Sequence, residues 1–476
     1  MVQRITTKKF ATNVLVSIGT QVISMAVSFL LSLIVPKFIG KISYADWQTY
    51  VLYVGYVGVL HFGLLDGIVL RYAKYDYEEL DKSRLRSQFI ILLIFTSLAT
   101  VSMAAVSLSV LEGANRLIFA LVAVGIVTKN MITYSLYMLQ ITNRISKYAI
   151  LVIAQRLTYG IVVVILLALK VDNFVWYCVA DLCGDAVGII VGLIFNRGLY
   201  LGRAIAPKEA FKELGTNIAS GIILMMANWS AMLMVGSAKM VIQWHWDKVT
   251  FGQVSFAFSA SNVFLTFVTA ISVVLFPSLK RIDQDKLPVM YKKIREVLSP
   301  LLFFAMIFYF VGCKILEIWL PQYTDSLVWL GVLMPIIIYS SKVSLLTNNY
   351  LKVYRKEKTM LVVNFISIVV GILTFVVGAY AFDNLYVVLG GVVFVIMLNS
   401  ILSEICVMKI IKVKIIAAFI IEAVMTVAFI LCACLCSRWV GCLIYLGAFV
   451  IYCLLNYKSI LSNLKSIFKR KRGEDL

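Results

Sequence analysis

The sequence predicts an all-α polytopic membrane protein with about 14 transmembrane helices. Of the 476 residues, 62% are hydrophobic and only 14% are charged, and the mean hydropathy is +0.94. Soluble domains are roughly half apolar. Unbroken apolar stretches of about 20 residues, each long enough to cross a hydrocarbon core as a helix, recur from Ala11 to Tyr457. Because these stretches do not alternate in polarity, they favour helices over strands.

Short polar breaks divide the apolar sequence into fourteen predicted spans, and hydropathy fixes each boundary only to within several residues. The spans are 11–36, 48–70, 88–111, 117–140, 149–169, 174–195, 214–238, 251–277, 298–320, 326–347, 359–381, 386–408, 415–437 and 439–457.

The basic residues are distributed very unequally between the two sides of this arrangement. Of the 44 Lys and Arg residues, 33 lie on the side of the N-terminus and 8 on the other side, counting Lys314 near the end of the ninth span. Cytoplasmic loops of membrane proteins are rich in Lys and Arg, so both termini are predicted to be cytoplasmic. The net charge of +20 is therefore a topology signal, and no nucleic-acid binding is predicted. The basic loops and the tail Lys469–Arg472 are expected to contact anionic headgroups of membrane lipids.

The spacing of the spans suggests two comparable halves of six spans each. The predicted domains are an N-terminal lobe, 1–213, a C-terminal lobe, 214–414, and a final part, 415–476, with two additional helices and a basic cytoplasmic tail. Six is an even number, so both halves have one orientation. A parallel repeat of this kind leaves a central cavity between two bundles, where a transporter can alternate its access.

The sequence contains no phosphate-binding G-x-x-x-x-G-K-[ST] loop and no H-E-x-x-H metal motif. No polar segment is long enough to hold a catalytic domain. We therefore expect neither enzymatic activity nor a metal or organic cofactor. The nine cysteines nearly all lie inside spans without a C-x-x-C pair, and free thiols are expected.

A few ionisable side chains lie inside the predicted spans, where each costs roughly 2.5–3.5 kcal/mol at the bilayer centre and is usually functional or paired. Lys129, Arg156 and Lys342 are the candidate substrate-binding residues, because ammonium and guanidinium groups bind phosphate oxygens strongly. Asp181 and Asp185 are four residues apart on one helical face and are candidates for binding a coupling cation. An internal salt bridge from Lys129 to one of these carboxylates is an equally weighted alternative.

His61 is a candidate proton relay, with a packing role as the alternative. Asp66, Glu404 and Glu422 lie nearer the cytoplasmic surface and are interpreted as structural, and Asp66 could pair with Arg71. Glycines that recur every fourth residue predict close helix packing. They are Gly63 and Gly67 on the second span and Gly184, Gly188 and Gly192 on the sixth.

The whole chain resembles the bacterial polysaccharide flippases, the O-antigen and capsule branch of the multidrug, oligosaccharidyl-lipid and polysaccharide exporter superfamily. Three segments carry this resemblance, which covers nearly the full length. They are "NVLVSIGTQVISMAVSFLLSLIVPKFIG" from Asn13, "YADWQTYVL" from Tyr44 and "VVLFPSLKRI" from Val273.

The resemblance implies a two-lobed helical core with two added helices in the bacterial cytoplasmic membrane. It implies transport of undecaprenyl-diphosphate-linked oligosaccharide from the cytoplasmic to the outer leaflet by alternating access. The residues themselves leave Na⁺, H⁺ or the membrane potential open as the driving force. A polysaccharide polymerase and glycosyltransferases would be its partners. Related lipid II flippases have cavity arginines in their first, second and eighth helices, and this sequence has none there.

Two other functions stay open on the sequence. A cation-coupled multidrug exporter of the same superfamily would need cavity carboxylates as its binding charge. A membrane glycan polymerase would need a large outer loop or a cytoplasmic catalytic region, and the longest polar interruptions are only about 20 residues.

Overall fold

The computed structural model describes residues 7–280, 284–413 and 416–457, and within these ranges the chain is helical without a β-strand. The helices from the N-terminus to the middle of the chain are α1 (Thr7–Phe29), α2 (Val35–Phe38), α3 (Lys41–Val54), α4 (Leu64–Tyr72), α5 (Lys82–Val110), α6 (Gly113–Ile141), α7 (Ile145–Ala168), α8 (Phe174–Phe195), α9 (Arg197–Tyr200), α10 (Pro207–His245) and α11 (Lys248–Lys280).

The second part of the chain continues in the same way. Its helices are α12 (Leu287–Trp319), α13 (Ser326–Leu333), α14 (Ile336–Lys342), α15 (Asn348–Val353), α16 (Glu357–Val376), α17 (Leu385–Ile411), α18 (Ile416–Leu435) and α19 (Arg438–Leu455). Short π-helices cover Leu30–Ile34, Val343–Thr347 and Val377–Ala381, and 3₁₀ turns cover Val57–His61, Gln284–Lys286 and Pro321–Tyr323.

Twelve helices in the described ranges are long and apolar enough to cross a membrane, or thirteen when one bent pair is counted as a span. The predicted class, an all-α multi-pass membrane protein, is confirmed. The eighth predicted span coincides with α11, a helix of 33 residues. The basic tail Lys469–Arg472 lies outside the described residues.

The second predicted span is broken, whereas the hydropathy pattern predicts one continuous helix. The stretches Lys41–His61 and Leu64–Tyr72 meet at an angle of 57°. Phe62 and Gly63 lie between the two stretches and have φ values of 48° and 82°, respectively. This left-handed backbone cannot continue the α-helical hydrogen bonds, so the chain changes direction there.

The described chain forms two compact units. One consists of the described residues up to Met232 together with Trp246–Gly252, and the other consists of Leu233–His245 and the described residues from Gln253 onward. The lobe boundaries at 213 and 414 stay a prediction.

In the first unit, α4 packs backbone to backbone against α10. A Cβ atom added to Gly67 would overlap the carbonyl of Asn217, and one added to Gly221 would overlap the backbone of Gly63 and Gly67. The close approach predicted for Gly63 and Gly67 is confirmed. Arg71 of α4 fixes the same contact by hydrogen bonds to Glu213 and Asn217 of α10.

The glycine stripe of α8 has the same role and brings α8 onto α6 and α7. A Cβ atom added to Gly184 would lie 2.8 Å from the carbonyl oxygen of Gln155 on α7. Added Cβ atoms on Gly188 and Gly192 would crowd Ile132 and Ser135 of α6. Glycine therefore sets the distance between the three helices that carry most of the predicted site residues.

Candidate functional site

Three predicted site residues meet inside the first unit. Asp181 and Asp185 lie one helical turn apart on α8, and both point toward Lys129 of α6. The Lys129 Nζ lies 2.8 Å from Asp181 and 2.9 Å from Asp185. The internal pairing that the sequence left open is formed in this structure, and we name these three residues the Lys129 triad.

Neutral donors hold the carboxylates of the triad in place. The Tyr50 hydroxyl of α3 donates to Asp181 Oδ2 at 3.0 Å. The Thr128 hydroxyl and the Gln155 amide donate to Asp185 at 3.0 and 2.8 Å. Asp185 is fully buried, so these bonds replace the water that its carboxylate loses.

A cavity of about 270 Å³ opens beside the triad. It is lined by Lys129, Ile132, Thr133, Leu136, Gln155, Arg156, Tyr159 and Asp181. The side chains of Lys129 and Asp181 are 23% and 16% exposed, so the triad is accessible from this side.

Arg156 is the second cation of the cavity. It follows Gln155 on α7 and is exposed. Unlike Lys129, it forms no ion pair with a carboxylate in the described ranges 7–280, 284–413 and 416–457. Its guanidinium donors are therefore available to a bound anion.

His61 is not among the residues that line the cavity; it lies in the 3₁₀ turn that ends at the break of the second span. Its Nδ1 accepts a hydrogen bond from the Gly63 N–H at 3.1 Å, and its Nε2 lies 3.8 Å from Asp66. The sequence leaves open whether Asp66 pairs with Arg71 or reaches water, and among the described residues Arg71 contacts Glu213 on α10. These contacts give His61 a role in shaping the break, and its role in proton relay stays a prediction.

Lys342 lies in the second unit, in a buried group of four charges that we name the Lys342 quartet. Its Nζ lies 2.7 Å from Glu404 and 2.6 Å from Glu422. Arg295 contacts the same two carboxylates at 2.9 and 2.8 Å. The four side chains are at most 4% exposed and come from four helices, α12, α14, α17 and α18. The quartet is neutral. In this structure the ammonium group of Lys342 donates hydrogen bonds to both carboxylates.

Sequence reasoning missed the hydrogen-bond donors around the triad. Thr128 directly precedes Lys129, and Gln155 directly precedes Arg156. A polar residue next to a charged one inside an apolar span is a usable signal for such a donor, since buried charges need hydrogen bonds. Tyr50 gives no comparable signal, because tyrosine is common in membrane helices.

A scan against family models and a search of curated proteins both found no match to this sequence. Solved structures do match. A multidrug resistance transporter of the MATE family, inward-facing, superposes with a TM-score of 0.62 at 13% identity, over 82% of this chain and 98% of that chain. The lipid II flippase MurJ, in an inward closed conformation, gives a TM-score of 0.66 at 10% identity, over 95% of this chain and 100% of that chain.

This chain has the fold of the MOP-superfamily transporters. A further structure, a MATE protein in the straight conformation, agrees with a TM-score of 0.52 at 14% identity, over 84% of this chain and 96% of that chain. Identities this low establish the MOP fold alone. The resemblance found in the sequence is therefore confirmed for the superfamily fold, and the polysaccharide branch stays a proposal.

Proposed function

We propose that this chain is a flippase of the bacterial cytoplasmic membrane. It moves undecaprenyl-diphosphate-linked oligosaccharide repeat units from the cytoplasmic to the outer leaflet by alternating access, and no bond is broken. The MOP fold supports a role in transport. The main support for an anionic substrate is the position of Arg156. An arginine with no carboxylate partner in the described part of the chain lies in a cavity beside a triad that has its own counter-ion.

Arg156 is the proposed contact for the diphosphate. A guanidinium group offers planar, paired N–H donors that match two phosphate oxygens, and it stays charged at any physiological pH. Gln155 lines the same cavity, and its amide NH₂ group has a second hydrogen besides the one donated to Asp185, which makes it a neutral donor. The lipid tail stays in the bilayer while the headgroup crosses.

Lys129 has a different part in this proposal. The carboxylate of Asp181 at the cavity wall and the buried carboxylate of Asp185 next to it would repel a diphosphate, and the ammonium group of Lys129 cancels one of their two charges. With Arg156 the cavity is neutral before the substrate arrives. Lys342 keeps the quartet of the second unit neutral, and a substrate contact through it is the weakest of the three that the sequence suggests.

The same geometry argues against an exporter of cationic drugs. Such a transporter would need Asp181 or Asp185 as its binding charge, and both carboxylates are already paired with Lys129.

For an anion, the membrane potential favours outward movement by about 2.3 kcal/mol per charge per 100 mV, because the cytoplasm is negative. Dissipating the potential should therefore slow flipping.

Glycosyltransferases and a polymerase that make and extend the repeat unit are the proposed partners.

Substitution of Arg156 tests the proposal. We expect Arg156→Ala to slow flipping of a lipid-linked oligosaccharide in proteoliposomes by about tenfold or more, since a charged hydrogen bond is worth about 1.5–3 kcal/mol. Arg156→Lys should keep part of the rate, because it retains the charge without the planar donors. The measurement is the accessibility of the labelled headgroup in each leaflet over time.

Arg116→Ala is the matched control, because Arg116 is exposed at the start of α6 and does not line the cavity. Its flipping rate should equal that of the unchanged protein. An Arg156→Ala variant with a normal rate would refute the anion site. Drug resistance in cells that depends on Asp181 but not on Arg156 would instead favour the multidrug exporter.

A further inference from the structure

The ammonium group of Lys129 lies among four carboxylate oxygens. Its Nζ is 3.0 and 2.8 Å from the two oxygens of Asp181, and 3.0 and 2.9 Å from those of Asp185. Hard metal cations bind in similar environments, because their preferred ligands are carboxylate and neutral oxygen atoms. The side chain thus occupies the point where a free cation would be held.

Two carboxylates one turn apart on the same face of α8 repel each other, and one of them would gain a proton unless a cation separates them. The groups around the triad are arranged for the ionised pair. Tyr50, Thr128 and Gln155 all donate to its oxygens, which stabilises the charged form of each carboxylate. Helices α3, α6 and α7 supply these donors, so the site is built by the fold and does not depend on one flexible loop.

We propose that Lys129 is a tethered counter-ion that takes the place of a coupling cation at the Asp181–Asp185 pair. Transport by this protein then takes up no Na⁺ at this site. The inference rests on the proposed transport function, because it states that the side chain of Lys129 replaces the ion that would otherwise be coupled to transport. It also explains how Asp181 can line a cavity for an anionic substrate with the buried carboxylate of Asp185 next to it.

A stability measurement tests the proposal without any substrate. Lys129→Met removes the charge at similar side-chain length and leaves the two carboxylates facing each other. We expect the unfolding temperature of the purified variant to fall, and Na⁺ to restore at least half of that loss when it replaces choline at constant ionic strength. The unchanged protein should unfold at the same temperature in both salts.

Two further variants serve as controls. Lys129→Met combined with Asp185→Asn removes one carboxylate of the pair, and the response to Na⁺ should disappear. Lys314→Met removes an exposed lysine of α12, and its unfolding temperature should be the same in Na⁺ and choline. A Lys129→Met variant with no response to Li⁺, Na⁺ or K⁺ would overturn the proposal.

The transport assay gives an independent result if Lys129→Met does not fold. The unchanged protein should flip its substrate equally fast in Na⁺ and in choline. A rate that rises several-fold with Na⁺ and loses this dependence in Asp185→Asn would also overturn the tethered counter-ion. If the protein flips no lipid-linked oligosaccharide, the proposed function fails, and the stability measurement still decides the role of Lys129.

Discussion

Lys342→Met is expected to destabilise the protein by about 3–5 kcal/mol, because removal of one partner leaves a buried charge uncompensated. The four side chains of the quartet are at most 4% exposed, so water cannot solvate the excess carboxylate. Among the residues that the structure describes, Arg295 would remain as the only cation in contact with Glu404 and Glu422. The measurement is thermal unfolding in detergent, followed by the loss of helical signal and of monodisperse protein.

A double variant shows whether charge is the cause. Lys342→Met with Glu422→Gln makes the group neutral again, so it should recover at least half of the lost unfolding temperature. Lys314→Met serves as the surface control, because exposed ion pairs contribute only about 0–1 kcal/mol. A Lys342→Met variant as stable as the unchanged protein would contradict the assignment of Lys342 to this quartet.

Gly221→Ala is expected to have the second-largest effect on stability, although it adds a single methyl group. The new Cβ atom would overlap the backbone of Gly63 and Gly67 on α4, and backbone cannot rotate away as a side chain can. The two helices must separate, with a loss of about 1–3 kcal/mol that is typical of overpacking. A lower unfolding temperature and faster proteolysis are the expected results.

Gly215→Ala provides a control on the same helix. A Cβ atom added to Gly215 meets nothing within 4 Å, so alanine should be tolerated there and even favour the helix slightly. Equal unfolding temperatures for the Gly221 and Gly215 variants would show that the close contact between α4 and α10 does not determine stability.

Hydropathy predicts the helices well, because a membrane span needs about 20 apolar residues and polar breaks mark its ends. The break in the second span escapes this reasoning. It depends on left-handed backbone at Phe62 and Gly63 and on the packing of α4 against α10, and neither changes the apolar composition. A window average cannot detect it.

The ionic contacts are predictable to different degrees. Spacing places Asp181 and Asp185 on one face, and their depth matches that of Lys129, so a salt bridge from Lys129 to one of them is predictable as an alternative, whereas its contact with both is not. The quartet draws on residues up to 127 positions apart on four helices. Depth alone suggested that Glu404 and Glu422 are structural, and it gave no means of linking them to Lys342.

The quartet also has a consequence for the order in which the protein is assembled. Arg295 and Lys342 are synthesised first, then Glu404, and Glu422 comes last on α18. Until α18 enters the bilayer, the growing chain holds two cations against one carboxylate. The thirteenth predicted span, which by sequence is an addition to the two six-helix halves, therefore supplies the carboxylate that makes this group neutral. A helix that lies outside the repeat pattern is in this sense required by the charges of the helices that precede it.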